Sequence, residues 1–295
     1  MKKSLFLFSL ISLFSCLFPF FSCNVTSENF WTGDTNVNAR FSGLLNLTES
    51  DSTVNAFKTS CSDCYQVLVI TDVHKGAGFY RAEDEKKFFE WLDGLSASEL
   101  SDIKFCLGLG DFADGAKESE MKAYAELVAK IEKKGIKTLN VVGNHDLYAP
   151  DGYEIYKKYC FPNTSYYRFE SNAFVWYALD SGSGTLGSLQ RKSLLSKLED
   201  EVKTPVVFSH MPVSKKDFGR FWLPFCFRDA TERNILIKLF SEKKIAGYFC
   251  GHYHPGGSES FGNFTQYNLK SFGEYGNWYL LNVDETAGKI TVTEF

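Results

Sequence analysis

Five histidines punctuate this chain: His74, His145, His210, His252 and His254. Each lies just past an apolar run and close to Asp, Asn, Gly or Ser. Imidazole nitrogen and carboxylate oxygen together suit Zn, Mn or Fe and disfavour Ca. The densest set is Gly143-Asn144-His145-Asp146. Here Asn144 offers an amide oxygen to a metal, His145 can exchange a proton near neutral pH, and Asp146 can hold that imidazole in one tautomer. Asp72 and His74 stand two residues apart, as do His252 and His254. In extended backbone each pair projects to one side. Asp111 carries two oxygens and can bridge two cations. With Asn144 and His210 the set holds enough donors for two divalent metal ions, Mn, Fe or Zn.

These side chains need a frame that brings them to one edge. Apolar runs at 65–71, 103–109, 138–142, 174–179, 205–208 and 245–250 predict buried strands. Between them, helical spacing joins Phe88, Trp91, Leu92 and Leu95, then Met121, Tyr124, Leu127, Val128 and Ile131, with Gly135 as a stop. Further helices are predicted around Leu189, Leu194, Leu195 and Leu198 and over 230–240, and the tail from 265 predicts strands and turns without a helix. Alternating strand and helix make the fold α/β. In such sheets ligands collect at the carboxyl ends of strands, where every Asp/Asn/His cluster of this chain falls.

The ordered series Asp72-x-His74, Gly110-Asp111-x-x-Asp114, Gly143-Asn144-His145-Asp146, His210 and Gly251-His252-x-His254 resembles the calcineurin-like metallophosphoesterase superfamily. The resemblance implies a four-layer α/β/β/α sandwich and a dinuclear phosphoesterase. It implies that Asp72, His74 and His254 bind one metal and Asn144, His210 and His252 the other, with Asp111 bridging. His145 would face the substrate and assist the leaving oxygen, with Asp114 and Asp146 behind the ligands or orienting His145. Two divalent cations against two carboxylates leave about +2, which suits a phosphate. A metal-bridging hydroxide, available because metals lower the pKa of water to about 7, would then make a Ser or Cys nucleophile unnecessary. Gly115 stands where phosphoprotein phosphatases of the superfamily carry an Arg, and Asp114 where purple acid phosphatases carry a Tyr. Both departures point away from those branches. The segment 179–182 and the approach to His210 are similar to the cyclic-nucleotide phosphodiesterase-like branch.

Residues 218–228 mix aromatic rings with Arg220 and Arg228. They read either as a cover that grips a base or phosphate or as a packed insertion with Arg on its rim. Lys75 is expected to face water, and Asp180 to be structural.

The chain has 295 residues, a net charge of −4, 44% hydrophobic residues and 28 Phe. That allows a sizeable core and gives no basic surface for a nucleic-acid polymer. Lys2 and Lys3 precede an apolar run ending near Phe20-Phe21-Ser22-Cys23. Residues 1–23 therefore read as an export signal, with Cys23 (or Cys16, after Leu13-Phe14-Ser15) as a lipidation site. An ordinary signal peptide is the alternative. Residues 24–60 read as a tether and irregular lead-in, and 61–295 as the catalytic domain.

Beyond Cys16 and Cys23, Cys61 and Cys64 read as a local disulfide or two free thiols, and Cys106 and Cys250 as core thiols; Cys160 and Cys226 complete the eight. The expected substrate is a small phosphoester such as a nucleotide. A sugar-nucleotide or lipid pyrophosphate is the enzymatic alternative, and a metal-containing, partner-binding surface lipoprotein the non-enzymatic one.

Overall fold

The structure is a computed structural model and describes residues 37–215 and 225–295. Strand β2 (Cys64–Ile70) shows how the sheets are built. Its Tyr65, Val67 and Val69 enter one hydrophobic core while Leu68 and Ile70 enter another. From Val67 onward both faces are buried, so that part of the strand reads as an unbroken apolar run rather than an alternating one. It lies parallel to β3 (Ile103–Gly108), which lies parallel to β4 (Lys137–Asn140).

The other strands are β1 (Leu45–Asn46), β5 (Tyr167–Glu170), β6 (Phe174–Leu179), β7 (Thr204–Ser209), β8 (Gly247–Cys250), β9 (Gly257–Phe261), β10 (Phe264–Asn268), β11 (Tyr279–Asp284) and β12 (Lys289–Glu294). They form a seven-stranded sheet in the order β1-β5-β6-β7-β8-β10-β9 and a five-stranded sheet in the order β12-β11-β2-β3-β4. The sheets face each other across Val67, Phe105, Phe169, Trp176, Phe208 and Phe249. Phe105 lies edge-on to both Phe169 and Trp176, with centroids 5.2 Å apart in each pair. Such edge-to-face pairs contribute about 0.5–1.5 kcal/mol beyond area burial.

The longer helices are α1 (Ala82–Gly94), α2 (Ala97–Asp102), α3 (Glu118–Glu132), α4 (Gly152–Tyr159), α5 (Gly187–Glu199) and α6 (Ala230–Glu242). Phe88, Tyr124, Ile131 and Tyr156 from α1, α3 and α4 cover the outer face of the five-stranded sheet. Leu194, Leu198, Leu236 and Phe240 from α5 and α6 cover the seven-stranded one. The result is the four-layer α/β/β/α sandwich. No described helix is long and apolar enough to cross a membrane.

Several expectations are corrected. Residues 37–60 are no tether. They make single helical turns whose Leu47, Val54 and Phe57 are buried in the inter-sheet core, and β1 pairs with β5. Arg40 from this segment forms two 2.8 Å bonds to Asp180 and one of 2.9 Å to Ser183, so the domain begins before residue 61. The tail contains a one-turn helix at Phe272–Tyr275. On α5, Leu189 and Leu195 face solvent. All six described cysteines are free thiols; Cys61, Cys106 and Cys250 are buried and Cys64 is exposed.

Candidate metal centre

The carboxyl ends of β2, β3, β4, β7 and β8 converge on one edge, and each contributes to a single cluster. Asp72 and His74 follow β2. Asp111 follows β3, Asn144 and His145 follow β4, His210 follows β7, and His252 and His254 follow β8. The expected extended geometry is not what aligns them. Asp72, His74, Asp111 and His252 have φ of 50°, 49°, 53° and 67°, a left-handed conformation that non-glycine residues rarely adopt. Four such residues in one cluster mark a site whose side chains are aimed at some backbone cost. The turns also need glycine for close approach. A Cβ on Gly143 would lie 2.1 Å from the Asp111 backbone nitrogen, and one on Gly251 2.2 Å from Asp72 Oδ2.

Asp111 is the hub. Its Oδ1 accepts the backbone N–H of His145 at 2.8 Å. Its Oδ2 lies 3.6 Å from His74 Nε2 and 3.3 Å from His210 Nε2. Burial works against its charge, but His210 and His74 outweigh burial and hold its carboxyl well below the usual range. On one side of the hub, His254 Nε2 is 3.1 Å from His74 Nε2 and 3.5 Å from Asp72 Oδ1. On the other, Asn144 Oδ1 is 3.0 Å from His210 Nε2. The His252 ring stands 5.1 Å from that of His210. Ligand atoms of Asp72, His74 and His254 lie within 4.8 Å of one another, and so do those of Asp111, His210 and His252.

The rings are set from behind. His210 Nδ1 donates to the Leu109 carbonyl at 2.8 Å, and His254 Nδ1 to Glu274 Oε2 at 2.6 Å. Each therefore turns Nε2 into the centre. Asp72 accepts from Thr71 Oγ1 at 2.7 Å and from the His252 backbone N–H at 3.0 Å. Ser181 Oγ accepts the backbone N–H groups of His210 and Met211, and its neighbour Asp180 is the carboxylate held by Arg40. The lead-in thus braces the His210 loop.

The fit to metal is chemical. With Nδ1–H committed to carbonyl or carboxylate, the Nε2 lone pairs of His210 and His254 face other electron-rich atoms at 3.0–3.5 Å. A metal cation placed among them would turn that repulsion into coordination. Without metal the protons are held tightly. Burial lowers the His210 pKa, but Asp111 and Asp72 outweigh it and raise it to about 9. Burial likewise opposes charge on His254, but Asp72 and Glu274 raise it to about 9. Burial and the nearby His210 push His252 down to about 3, so it presents a neutral ring.

Not every expected residue takes its expected place. Asp146 takes the first of its two expected places, behind the ligands, and does not orient His145. Its buried carboxylate accepts the backbone N–H groups of Phe112, Ala113 and Gly143 at 2.9–3.0 Å, clamping the loops after β3 and β4 together. Burial, with Asp111 nearby, raises its pKa to about 6. The imidazole is instead held by Asp114, whose carbonyl accepts from His145 Nδ1 at 2.7 Å. The Asp114 carboxylate lies 3.3 Å from His74 Nδ1 and 3.7 Å from His145 Nδ1. Lys75 does not face water. It is buried against Glu85 and Tyr80. Arg228 lines the cleft above the centre, and Arg220 lies outside the described residues.

Two residues at the site escape a reading of the sequence. Glu274 is twenty positions from His254 and carries no local signal. Tyr148 sits one turn beyond Asn144; its hydroxyl is 3.1 Å from Asn144 Nδ2 and 3.2 Å from His145 Nε2. The spacing from Asn144 could have pointed to it. The cleft measures about 840 Å³ and is bordered by His145, Tyr148, Phe225, Arg228, His254 and Glu274 among others.

A two-sheet sandwich with His and Asp clustered at its strand ends defines a metal-binding α/β protein. Residues 65–256 match the calcineurin-like phosphoesterase family model, and the chain belongs to that family. Among curated proteins none matches it by sequence. Solved structures of similar fold include a purple acid phosphatase from yellow lupin (Lupinus luteus) seeds, with 12% identity and a TM-score of 0.56 over 80% of this chain and 54% of that one. The chain thus spans about half the length of that phosphatase. GAP50, described as the anchor in the inner membrane complex of Plasmodium, has 13% identity and a TM-score of 0.51 over 79% and 89%. The protein TT1561 of Thermus thermophilus has 13% identity and a TM-score of 0.50 over 78% and 98%. Family and metal-ligating cluster together support a hydrolase acting on phosphoester bonds.

Proposed function

We propose that this protein hydrolyses a small phosphoester, such as a nucleotide, with two divalent metal ions held around Asp111. The observation that carries this reading is Asp111 Oδ2, set between His74 Nε2 and His210 Nε2 at 3.6 and 3.3 Å, where two donor sets meet. Asp72, His74 and His254 would hold one ion and Asn144, His210 and His252 the other. When bound, such ions polarise phosphoryl oxygens and lower the pKa of water to about 7. Mn, Fe and Zn suit the mixed imidazole and carboxylate set.

The chain's own groups supply the rest. His145 is fixed through Nδ1 to the Asp114 carbonyl, which turns Nε2 toward the cleft. Holding a proton at Nε2, it gives that proton to the leaving oxygen as the P–O bond breaks and water supplies the new oxygen on phosphorus. Arg228 on the cleft wall brings a positive charge toward the remaining phosphate oxygens. Asp114 keeps His74 and His145 in register, and Asp146 holds the loops that carry Asp111 and Asn144. We also read residues 1–23 as an export signal with lipid on Cys23, which detergent partitioning of Cys23→Ser against the native protein would test.

Turnover of p-nitrophenyl phosphate and bis-p-nitrophenyl phosphate by the Mn-loaded protein tests the assignment, with His145→Ala alongside. Loss of turnover in His145→Ala with both metals retained supports it. No turnover by the native protein carrying two metals would instead favour a metal-containing binding protein.

A further inference from the structure

Aromatic side chains left in water are unevenly placed. Of the five exposed aromatics among the described residues, Tyr148 at 61%, Tyr275 at 45% and Phe225 at 37% border the cleft that contains His145, and Phe295 does not. Phe79 packs beside the centre too, with its ring 5.3 Å from that of His74. Single exposed apolar residues need no explanation, but a cluster of rings around one cleft is a surface kept open for a ligand.

Tyr148 is the best placed of them. Its ring lies 4.3 Å from that of His145, and its hydroxyl is tied to Asn144 Nδ2 and His145 Nε2. The ring is therefore held beside the nitrogen that serves the leaving oxygen, and it is largely exposed to the cleft. Phe225 adds a second ring, 5.5 Å from Tyr253 and 6.2 Å from His252 on the β8 side of the same cleft. Flat, rigid walls of this kind favour flat partners, because offset-stacked and edge-on ring pairs gain energy that aliphatic groups of equal area do not.

We propose that the leaving group of the substrate carries a planar ring, as in an aryl or nucleoside phosphoester, and that Tyr148 is the residue that selects it. The inference rests on the phosphoesterase reading, because the leaving side is defined by His145.

Binding of phenylphosphonate and cyclohexylphosphonate to the Mn-loaded full chain tests it by calorimetry, with inorganic phosphate as the reference ligand. Neither phosphonate is cleaved, and the two rings differ in planarity rather than size. A preference of about 2- to 10-fold for the phenyl compound is expected from one ring pair. Tyr148→Phe should keep that ratio and Tyr148→Leu should bring it to about one. Equal or reversed preference in the native protein, binding of neither compound, or an unchanged ratio in Tyr148→Leu would overturn the inference. Hydrolysis of p-nitrophenyl phosphate, measured separately, reports on the parent reading, so the two can fail independently.

Discussion

Replacing Glu274 with Gln removes a charge from behind His254 while leaving an oxygen that can still accept the Nδ1 proton. The native bond is short, 2.6 Å, and joins a ring nitrogen to a carboxylate. A carboxylate partner orients a ligating His and raises its basicity, and loss of such partners lowers metal affinity by about 10- to 100-fold. The Glu274 side chain is 37% exposed, so solvent screens part of its charge. That places the effect near the lower bound, about 10-fold or ~1.4 kcal/mol. The loss should fall on one site only, the one built from Asp72, His74 and His254, because the Glu274 carboxylate bonds to the His254 ring. Calorimetric titration of the metal-free protein with Mn, resolving two binding steps, measures it. Unchanged affinity at both sites would refute the reasoning, and so would an equal loss at both.

Further outcomes follow from the same structure. His210 and His254 have folded pKa values of about 9 against 6.5 for a free imidazole, so their contribution to stability is full below pH 6.5 and lost as pH rises through 9. The metal-free protein should melt at lower temperature at pH 8.5 than at 6.5, and the gain in Tm on adding Mn should be larger at 8.5; a metal-free Tm that rises over this range would contradict the assignment. Arg40→Ala leaves the buried Asp180 carboxylate without its guanidinium and should cost about 3–5 kcal/mol in urea unfolding; a change below ~1 kcal/mol would show that the lead-in does not brace the His210 loop. Gly143→Ala puts a methyl 2.1 Å from backbone at Asp111 and should cost about 1–3 kcal/mol. It should also lower the bound metal per chain, and full metal content would refute the close-packing argument.

The strands and the cluster at their ends are legible in the sequence because the strands are buried on both faces and so appear as plain apolar runs. The runs of β2, β3, β4, β7 and β8 each stop where a turn bearing a candidate ligand begins. The route by which the ligands converge is hidden. Extended spacing pairs Asp72 with His74, yet both occupy left-handed backbone, which Asp and His do not advertise as Gly does. Residues 37–60 read wrongly as a tether because their helices are one turn long, too short for a period, and their buried Leu47, Val54 and Phe57 look scattered. Glu274 and Arg40 act across distances of 20 and 140 residues, where no local pattern operates. Asp146 shows the reverse error. Adjacency to His145 suggests a partner, but the turn points its carboxylate at backbone N–H groups instead.

The central claim is that two donor sets share Asp111. Metal content of the native protein and of Asp111→Ala, each equilibrated with Mn and measured by elemental analysis per folded chain, tests it directly. The account predicts two ions per chain in the native protein and none or one weakly held ion in Asp111→Ala. Two ions retained in the folded Asp111→Ala protein, or none bound by the native one, would contradict it.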